Sequence, residues 1–491
     1  MSIHLSVVIV TFGLLLAFVT YTLRWIRISL CLPFAITVLG FLTSCAIVLF
    51  TQIILWGPFE YPMGGWAPPI GIAYNVDHLN SFMVLVVTLV ALVNIIANWK
   101  GLQNFVGDRI GGFCALYILY VSGLNGILFT GDLFNLYVLL EIASLTGYAL
   151  LAIGDRRLAP FASINYVFLG TMGACFYLLG IGFLYIKTGS LNMIDVSNLI
   201  KQLHNSPTII TAFMFIIVGI WIKMGLFPFH IWLPRAYTHT FGPVSSLIAP
   251  MGTKVMAYAM FKVVLTVFGI NFVFRSNAFP HIVSTLALSA ILFGSIFALR
   301  QTHLKRMLCF VVITEIGYLV SGLAIGNSNA IKGSILHMLN DVFMTFCLFL
   351  SGQAIIERMG VNIDGFSELF VKTPLISAVF ITGALSVVGI PPTCGFFGKW
   401  YLLLGAVEKG NYPLFVTIIL SSLLNLILFF KVIEIGFYGG KVIPTWRLTG
   451  APPWSFYVGL CFAGVSIILM GLFTFHLIRY VIEPFLTPLG L

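Results

Sequence analysis

The feature that most constrains this chain is a series of long apolar stretches that recurs from one end to the other. Each stretch has about 18 residues or more, which lets an α-helix cross the apolar core of a bilayer. A transmembrane β-barrel would instead show short segments in which apolar and polar residues alternate. The sequence therefore predicts an all-α polytopic membrane protein with about 14 transmembrane helices, at residues 4–22, 30–55, 78–98, 110–128, 132–153, 162–186, 209–227, 243–266, 281–299, 307–325, 331–354, 374–403, 413–436 and 455–478.

The composition excludes a soluble fold. Only 8% of the 491 residues are charged and 60% are hydrophobic, whereas a soluble chain has about 25% charged residues. The net charge of +10 does not indicate a nucleic acid partner, because basic residues accumulate in the cytoplasmic loops of membrane proteins. In the predicted loops the basic residues concentrate on one side, which predicts that both termini lie outside.

Neither a signal peptide nor a cofactor site is expected. The apolar stretch at residues 5–22 is longer than a signal core, and Arg24 and Arg27 follow it instead of preceding it. The eight cysteines are scattered without a C-x-x-C pair. We therefore expect no disulfide, metal site or iron–sulfur cluster. We also expect no nucleotide site, because no phosphate-binding motif occurs in a strand–helix context.

Two of the apolar stretches are interrupted by glycine and proline. The first break reads GLFP, with Gly225 and Pro228, and the second reads GIPP, with Gly389, Pro391 and Pro392. A proline inside a helix removes a backbone hydrogen bond, and lipid cannot satisfy the freed carbonyl. Paired broken helices in the two halves of a transporter are the best sequence indication of its ion site. An ordinary proline kink is the alternative for either break alone.

Ionisable residues inside the apolar stretches are a second indication of an ion path. Each costs about 3 kcal/mol near the middle of a membrane helix. Buried lysine can release its proton, whereas arginine stays protonated. A structural ion pair is the alternative for any single residue. The candidates are Glu141, Lys223, Lys254, Glu315, His337, Asp341 and Lys399.

Two further residues receive weaker predictions. His230 follows the first break and either lines the inner mouth of the path or caps freed carbonyls. Lys262 lies near the end of its predicted span, so we expect it to extend toward the membrane interface.

Several motifs resemble the antiporter-like subunits shared by respiratory complex I, membrane-bound hydrogenases and Mrp-type cation/proton antiporters. They are GDLFNLYVLLEIASLTGYALLA (131–152), IKMGLFPFHIWLPRAYTHTFGPVSSL (222–247), TKVMAYAM (253–260), LKRMLCFVVITEIGY (304–318) and ALSVVGIPPTCGFFGKW (384–400). The resemblance covers about residues 110–435. In addition, MGGWAPPIGIAYNVD (63–77) is most similar to the D subunit of Mrp antiporters and its close relatives.

This resemblance implies fourteen helices, two inverted five-helix repeats, and breaks in helices 7 and 12. Helices 1–3 would occupy residues 1–109, and helix 14 would lie in residues 437–491. The first repeat, helices 4–8, would occupy residues 110–266, and the second, helices 9–13, residues 267–436.

The resemblance also implies roles for individual residues. It matches Glu141 to the carboxylate of helix 5, Lys223 and Lys254 to the lysines of helices 7 and 8, His337 to the histidine of helix 11, and Lys399 to the lysine of helix 12. Glu315 lies in helix 10, which the implied symmetry relates to helix 5. Protons would then pass along a central chain of buried lysine, glutamate and histidine side chains.

The implied function is proton and cation translocation by a membrane subunit of an Mrp-type Na⁺/H⁺ antiporter in the inner (cytoplasmic) membrane. The expected partners are other membrane subunits, the lipid bilayer, H⁺ and either Na⁺ or K⁺, with no nucleic acid and no cofactor. One alternative is a proton-pumping subunit of a complex I-like NADH:quinone oxidoreductase or a membrane-bound hydrogenase. A second alternative is a structural subunit with a degenerate ion path.

Two departures from the family pattern bear on the path. The family often reads WLPDA after helix 7, whereas this chain has Arg235 in WLPRA. In helix 11 the common NH…FK pattern is replaced by Asn340–Asp341 and Met344–Thr345, so that a basic relay residue is missing. The connection between the two halves then depends on His337, Asp341 and water.

Overall fold

The computed structural model describes residues 4–154, 157–203, 206–274, 278–439 and 452–491. Within these ranges, 13 helices are long and apolar enough to cross a membrane. The predicted span at 374–403 is instead divided into two helices of 15 residues each. Together these elements correspond to the predicted spans, and the prediction of a polytopic helical membrane protein is confirmed.

The described ranges of the first half contain eleven α-helices and two short strands. They are α1 (Leu5–Ile26), α2 (Cys31–Trp56), β1 (Phe59–Pro62), β2 (Ala73–Val76), α3 (His78–Ala97), α4 (Trp99–Val106), α5 (Ile110–Phe129), α6 (Leu133–Leu151), α7 (Leu158–Thr188), α8 (Met193–Leu203), α9 (Pro207–Met224), α10 (Trp232–His239) and α11 (Gly242–Lys262). A π-helical turn, Val263–Phe268, extends α11.

The described ranges of the second half contain helices and connecting loops but no named strand. Its helices are α12 (Ile270–Val273), α13 (Ala278–Leu299), α14 (Leu304–Ile325), α15 (Ser328–Met359), α16 (Leu369–Lys372), α17 (Pro374–Val388), α18 (Cys394–Glu408), α19 (Tyr412–Tyr438), α20 (Trp454–Leu472), α21 (Thr474–Leu477) and α22 (Glu483–Leu486). Because the spanning helices alternate in direction, α3, α6, α15 and α19 start at one face of the bundle. The opposite face carries Arg27, Lys100, Arg109, Arg300 and Arg358, and we name it the basic face.

The strands form the one departure from an all-helical chain in the described ranges. β1 and β2 pair antiparallel, with Phe59 opposite Val76 and Pro62 opposite Ala73. The segment 55–77 was predicted only as a loop. Strands of four residues with no regular alternation give little sequence signal.

Polar side chains begin several spans at the face opposite the basic face. Asp77 accepts a hydrogen bond from the backbone N–H of Asn80, and Asp132 accepts one from Asn135. Asn327 and Asn411 start α15 and α19 in the same way. Such caps satisfy backbone donors that a helix leaves free at its first turn.

The centre of the bundle is formed by α11, α14 and α15, whose residues are almost all buried. In contrast, α7, α13 and α19 expose one side, as lipid-facing helices do. α15 has 32 residues, so it is about 48 Å long and exceeds the roughly 30 Å apolar core of a bilayer. The predicted inverted relation between residues 110–266 and 267–436 stays a prediction.

Candidate ion-translocation site

The first helix break closes its own backbone. α9 ends at Gly225, whose φ of 77° favours glycine. The N–H groups of Gly225 and Leu226 both donate to the carbonyl of Trp221, at 3.0 and 3.1 Å. The carbonyl of Ile222 accepts from the indole N–H of Trp232 at 3.2 Å. The freed carbonyls are therefore satisfied by protein, as a break at membrane depth requires.

This break places Lys223 in the last turn of α9, where its side chain is buried. The Nζ of Lys223 lies 3.0 Å from Oε1 of Glu141 and donates to Oγ of Ser144 at 2.8 Å. It also lies 3.4 Å from the hydroxyl of Tyr148. All three partners are on one face of α6, since they are spaced by three and four residues. Glu141 differs from Lys223 in that 24% of its side chain is exposed.

A small cavity of about 30 Å³ extends from Lys223 toward α11. Its walls include the tyrosine rings of Tyr120, Tyr166 and Tyr237, and it reaches Gly252 on α11. A volume of this size suffices for about one water molecule. Lys223 thus faces α11 across a space that hydroxyl groups and one water can bridge.

A second ion pair lies at the centre of the bundle. The Nζ of Lys254 on α11 is 3.1 Å from Oδ2 of Asp341 on α15, and both side chains are at most 1% exposed. Lys254 also donates to the carbonyl of Ala249 at 3.2 Å and to Oγ1 of Thr345 at 3.0 Å. The same hydroxyl donates to Oδ1 of Asp341 at 2.7 Å. The missing basic residue of helix 11 is therefore replaced here by an acid that pairs directly with Lys254.

One turn earlier on α15, His337 contacts an acid of α14. Its Nε2 lies 2.6 Å from Oε2 of Glu315, and both side chains are enclosed. The ring of Tyr318 meets the imidazole edge-on, with 5.3 Å between the centroids. On the other side, Gly398 of α18 packs against His337: a Cβ at Gly398 would come within 2.9 Å of His337 Cβ. His337 thus joins α14, α15 and the helix that carries Lys399.

The second break repeats the backbone geometry of the first. Gly389 has φ of 90°, and its N–H and that of Ile390 both donate to the carbonyl of Leu385, each at 3.0 Å. Lys399, in the helix after the break, donates to the carbonyl of Val387 at 2.6 Å. Both breaks therefore use the same hydrogen-bonding pattern, a helix C-cap closed around a left-handed glycine.

Lys399 nevertheless differs from the other two lysines in its partners. Besides Val387 it donates to Oγ of Ser422 at 3.2 Å, and its Nζ lies 4.6 Å from the centre of the Tyr318 ring. In the described ranges no carboxylate forms an ion pair with it. The last carbonyls of α17, which form the negative end of its helix dipole, instead stabilise the charge of Lys399.

The two weaker candidates lie elsewhere. The imidazole of His230 is packed between Phe227 and Phe293, with centroids at 5.3 and 4.8 Å. No hydrogen bond in the described ranges joins His230 to another candidate residue. Lys262, which we expect to extend toward the membrane interface, is buried and donates to the carbonyls of Leu128 and Thr130 at the end of α5, at 3.0 and 2.7 Å.

The structure thus brings seven of the eight predicted residues into a row of buried polar groups, with His230 aside. Sequence reasoning missed the hydroxyls that accept from the lysines, which are those of Ser144, Tyr148, Thr345 and Ser422. For three of them a signal existed in the sequence. Ser144 and Tyr148 follow Glu141, and Thr345 follows Asp341, at spacings that share a helix face.

Relatives of this chain fall into two groups by name. The N subunit of the NADH-quinone oxidoreductase of Desulforudis audaxviator is 38% identical, and the match covers 98% of both chains. The D subunit of the Na(+)/H(+) antiporter of Bacillus subtilis is 28% identical, with 87% of this chain and 85% of the relative covered.

Solved structures give the same fold. A chain of the membrane-bound sulfane sulfur reductase, an archaeal respiratory membrane complex, superimposes with a TM-score of 0.87. It is 26% identical, and the superposition covers 97% of this chain and 96% of that one.

Residues 130–425 match the family described as NADH:quinone oxidoreductase/Mrp antiporter, TM. This is more than half of the chain, and a relative above 30% identity matches nearly all of it. The predicted resemblance is confirmed: the chain is an integral, multi-pass membrane protein that belongs to the family of NADH:quinone oxidoreductase and Mrp antiporter transmembrane subunits.

Proposed function

We propose that this chain translocates protons as a membrane subunit of a multisubunit Mrp-type monovalent cation/proton antiporter. The observation that carries the proposal is the row of buried charges: Lys223 with Glu141, Lys254 with Asp341, His337 with Glu315, and Lys399. Buried ion pairs contribute little net stability compared with apolar residues of the same volume. Three such pairs in one bundle are therefore better explained by transport than by folding.

Lysine suits this task because its proton affinity depends strongly on a nearby carboxylate. At about 4 Å and an effective dielectric constant of about 20, one carboxylate stabilises the ammonium form by roughly 4 kcal/mol. Movement of the carboxylate by a few ångströms would make buried Lys223 release its proton. Glu141 is the acid in position to do this, since it contacts Lys223 at 3.0 Å.

Among the residues of the three described pairs in the row, Glu141 also has the most exposed side chain. It lies on a side of α6 where Phe134, Val138 and Leu145 are exposed as well. A partner membrane subunit covering this side would sense or set the position of Glu141. From there, protons pass by the hydroxyl-lined cavity to Lys254, and by Asp341 and His337 toward Lys399.

Replacement of Lys223 or Glu141 by alanine tests the proposal. The complex, purified and reconstituted in lipid vesicles, should assemble normally but lose proton translocation, measured with a pH-sensitive dye. Lys187→Ala, at the end of α7 and outside the row, is the matched control and should transport as the wild type does. Retained transport in both the Lys223 and the Glu141 variants would show that the row is structural, as in a subunit with a degenerate path.

Two observations favour different assignments of the complex to which this chain belongs. Segment 63–77 and the relatives named as D subunits of Na(+)/H(+) antiporters favour an Mrp-type antiporter. The 38% identity to a relative named as the N subunit of an NADH-quinone oxidoreductase favours the second candidate, a proton-pumping subunit of a complex I-like or hydrogenase-type translocase. In that case the redox chemistry would belong to partner chains.

Purification of the native complex separates the two candidates. Small membrane subunits and proton flux that depends on Na⁺ or K⁺ would support the antiporter. Copurifying iron–sulfur subunits and flux driven by an electron donor would support the redox-driven translocase.

We place the chain in the cytoplasmic membrane with its basic face inside and both termini outside, following the distribution of basic residues. Labelling of single cysteines in the terminal segments and in the loops of the basic face, from each side of the membrane, tests this orientation.

A further inference from the structure

A cavity on the basic face leads toward the central ion pair. It measures about 290 Å³ and lies between the start of α4, the end of α15 and the start of α20. Its charged lining residues are Lys100, Glu357 and Arg358, and Asn98 and Gln353 form its inner wall. Glu357 is exposed, whereas Asn98 and Gln353 are 3% and 6% exposed. The cavity therefore ends on buried amide groups.

These amides begin a continuous chain of hydrogen bonds into the bundle. The amide N–H₂ of Gln353 donates to Oε1 of Glu357 and to Oδ1 of Asn98, at 3.0 Å each. Asn98 donates to Oδ1 of Asn94 at 3.1 Å, and the hydroxyl of Ser246 donates to the same oxygen at 2.7 Å. Asn94 and Ser246 are completely buried. The chain thus runs from an exposed carboxylate to α11, the helix that carries Lys254.

The backbone of α11 continues the chain toward Lys254. Pro250 lies inside this helix and has no N–H, so the carbonyl of Ser246, four residues earlier, lacks its usual helical donor. The Nζ of Lys254 reaches back along the helix to the carbonyl of Ala249 at 3.2 Å. Between Ser246 and Ala249 the helix rises by only about 4.5 Å. The carbonyl that Pro250 leaves without its helical donor thus lies between the amide chain and the carbonyl that Lys254 contacts.

Burial of an amide side chain costs free energy unless its donors and acceptor find hydrogen-bond partners. The carbonyl oxygen of Gln353 is buried and has no protein partner in the described ranges, so it can accept a hydrogen bond from water. The cavity next to it has room for several water molecules, each of which occupies about 30 Å³ in the liquid. Both features favour a hydrated route over a dry contact between helices.

We propose that the chain formed by Glu357, Gln353, Asn98, Asn94 and Ser246 orients water along the route by which Lys254 exchanges protons with the aqueous phase at the basic face. The inference rests on the proposed function. Amides carry no readily exchanged proton, so these residues are positioning residues and the water carries the charge. In the inward step a proton leaves Glu357 or bulk water and ends on the Lys254 amine; in the outward step it returns.

Proton flux through the reconstituted complex tests the route. Gln353→Met keeps the side-chain volume and removes the amide, and Asn98→Leu interrupts the next position; each should lower the flux at least tenfold. Gln353→His retains an N–H donor for Glu357 or Asn98 and should keep at least half of the wild-type flux. Asn125→Leu removes a buried amide of α5 that forms no hydrogen bond with the residues of the proposed route. This variant should leave the flux unchanged.

The outcomes separate this inference from the proposed function. If Lys223→Ala abolishes the flux while Gln353→Met and Asn98→Leu transport as the wild type does, the route is wrong and the proposed function stands. If the Lys223 and Glu141 variants also retain flux, the proposed function itself is wrong. Equal loss in Gln353→His and Gln353→Met would assign Gln353 a structural role and overturn the route.

A second measurement tests the access of water to the route and does not depend on proton flux. A cysteine introduced by Ser246→Cys, in a chain whose natural cysteines are replaced by serine or alanine, should react with a small water-soluble thiol reagent applied at the basic face. Addition of Gln353→Met should slow this reaction at least tenfold. Ser295→Cys on α13, equally buried but outside the route, should not react. Lack of reaction at position 246, or reaction only from the opposite face, would overturn the route.

Discussion

The Nζ of Lys254 lies 3.1 Å from Oδ2 of Asp341, and neither side chain is more than 1% exposed. The two residues are on different helices, α11 and α15, which join the two halves of the chain. The pair therefore lies where the proposed path would pass from the half that contains Lys223 to the half that contains Lys399. Its contributions to folding and to transport can be separated by experiment.

Asp341→Leu alone should destabilise the subunit by about 3–5 kcal/mol, because it leaves the Lys254 ammonium buried without its counter-charge. The double variant Lys254→Met/Asp341→Leu should recover most of this loss, since both charges are then absent. Thermal unfolding of the purified complex measures the stability, and vesicle assays measure the flux. Neither variant should transport. A double variant with wild-type flux would exclude the central pair from the path.

Lys223→Arg should abolish proton translocation while the complex stays assembled and stable. Arginine keeps the charge that pairs with Glu141, but it does not release its proton. The matched control is Lys332→Arg, because Lys332 also forms a 3.1 Å ion pair, with Glu483, and neither residue is a member of the row of charges. Proton flux through the reconstituted complex, measured for both variants, tests this prediction. Full activity of the Lys223→Arg variant would mean that only the charge of Lys223 matters.

Gly398→Ala should impair transport by pushing α18 away from α15. The added methyl group would come within about 3 Å of three atoms of His337, and overpacking of this kind typically costs about 1–3 kcal/mol. Gly182→Ala in α7 is the control, since its Cβ would meet no atom within 4 Å. That variant should be as stable as the wild type or more so, as alanine favours helix. Equal flux in the two variants would refute tight coupling of His337 to α18.

His303, in the loop before α14, should make the subunit less stable in mild acid. Burial and the positive charges of Lys305, His239 and Arg306 lower the pKa of His303 below its ordinary value of 6.5. The unfolded chain thus binds a proton more readily than the folded one, and stability is lost as the pH falls below about 6.5. His303→Asn removes the titrating group and can cap α14. Its thermal midpoint should fall less than that of the wild type between pH 7 and pH 5, and an identical fall in both would refute this role.

The sequence predicted the helices and both breaks, because long apolar runs and Gly-Pro interruptions report directly on membrane spans. It also identified the residues of the row, since each charge is unusual at its depth. It could not predict the partners from spacing alone. Lys254 and Asp341 are 87 positions apart in the chain, and only the packing of α11 on α15 brings them together.

Other contacts could not be predicted for the same reason. Thr345 was noticed only as the replacement of a basic residue, although its hydroxyl contacts both members of the central pair. The position of Lys262 near the end of a span suggested the membrane interface. It could not indicate that the carbonyls of Leu128 and Thr130 lie within hydrogen-bond distance. His230 is surrounded by Phe227 and Phe293 from different elements, a contact that no local pattern indicates.

The closed backbone at the two breaks limits how this protein can move. The carbonyls of Trp221 and Leu385 already accept two N–H groups each. Straightening or swinging either helix there would break these bonds at membrane depth, where few groups can replace them. We therefore expect the two breaks to act as fixed corners and not as hinges. Switching during turnover is then left to side-chain rotamers and to the filling and emptying of small hydrated spaces, which are fast, local events that need no rearrangement of the bundle.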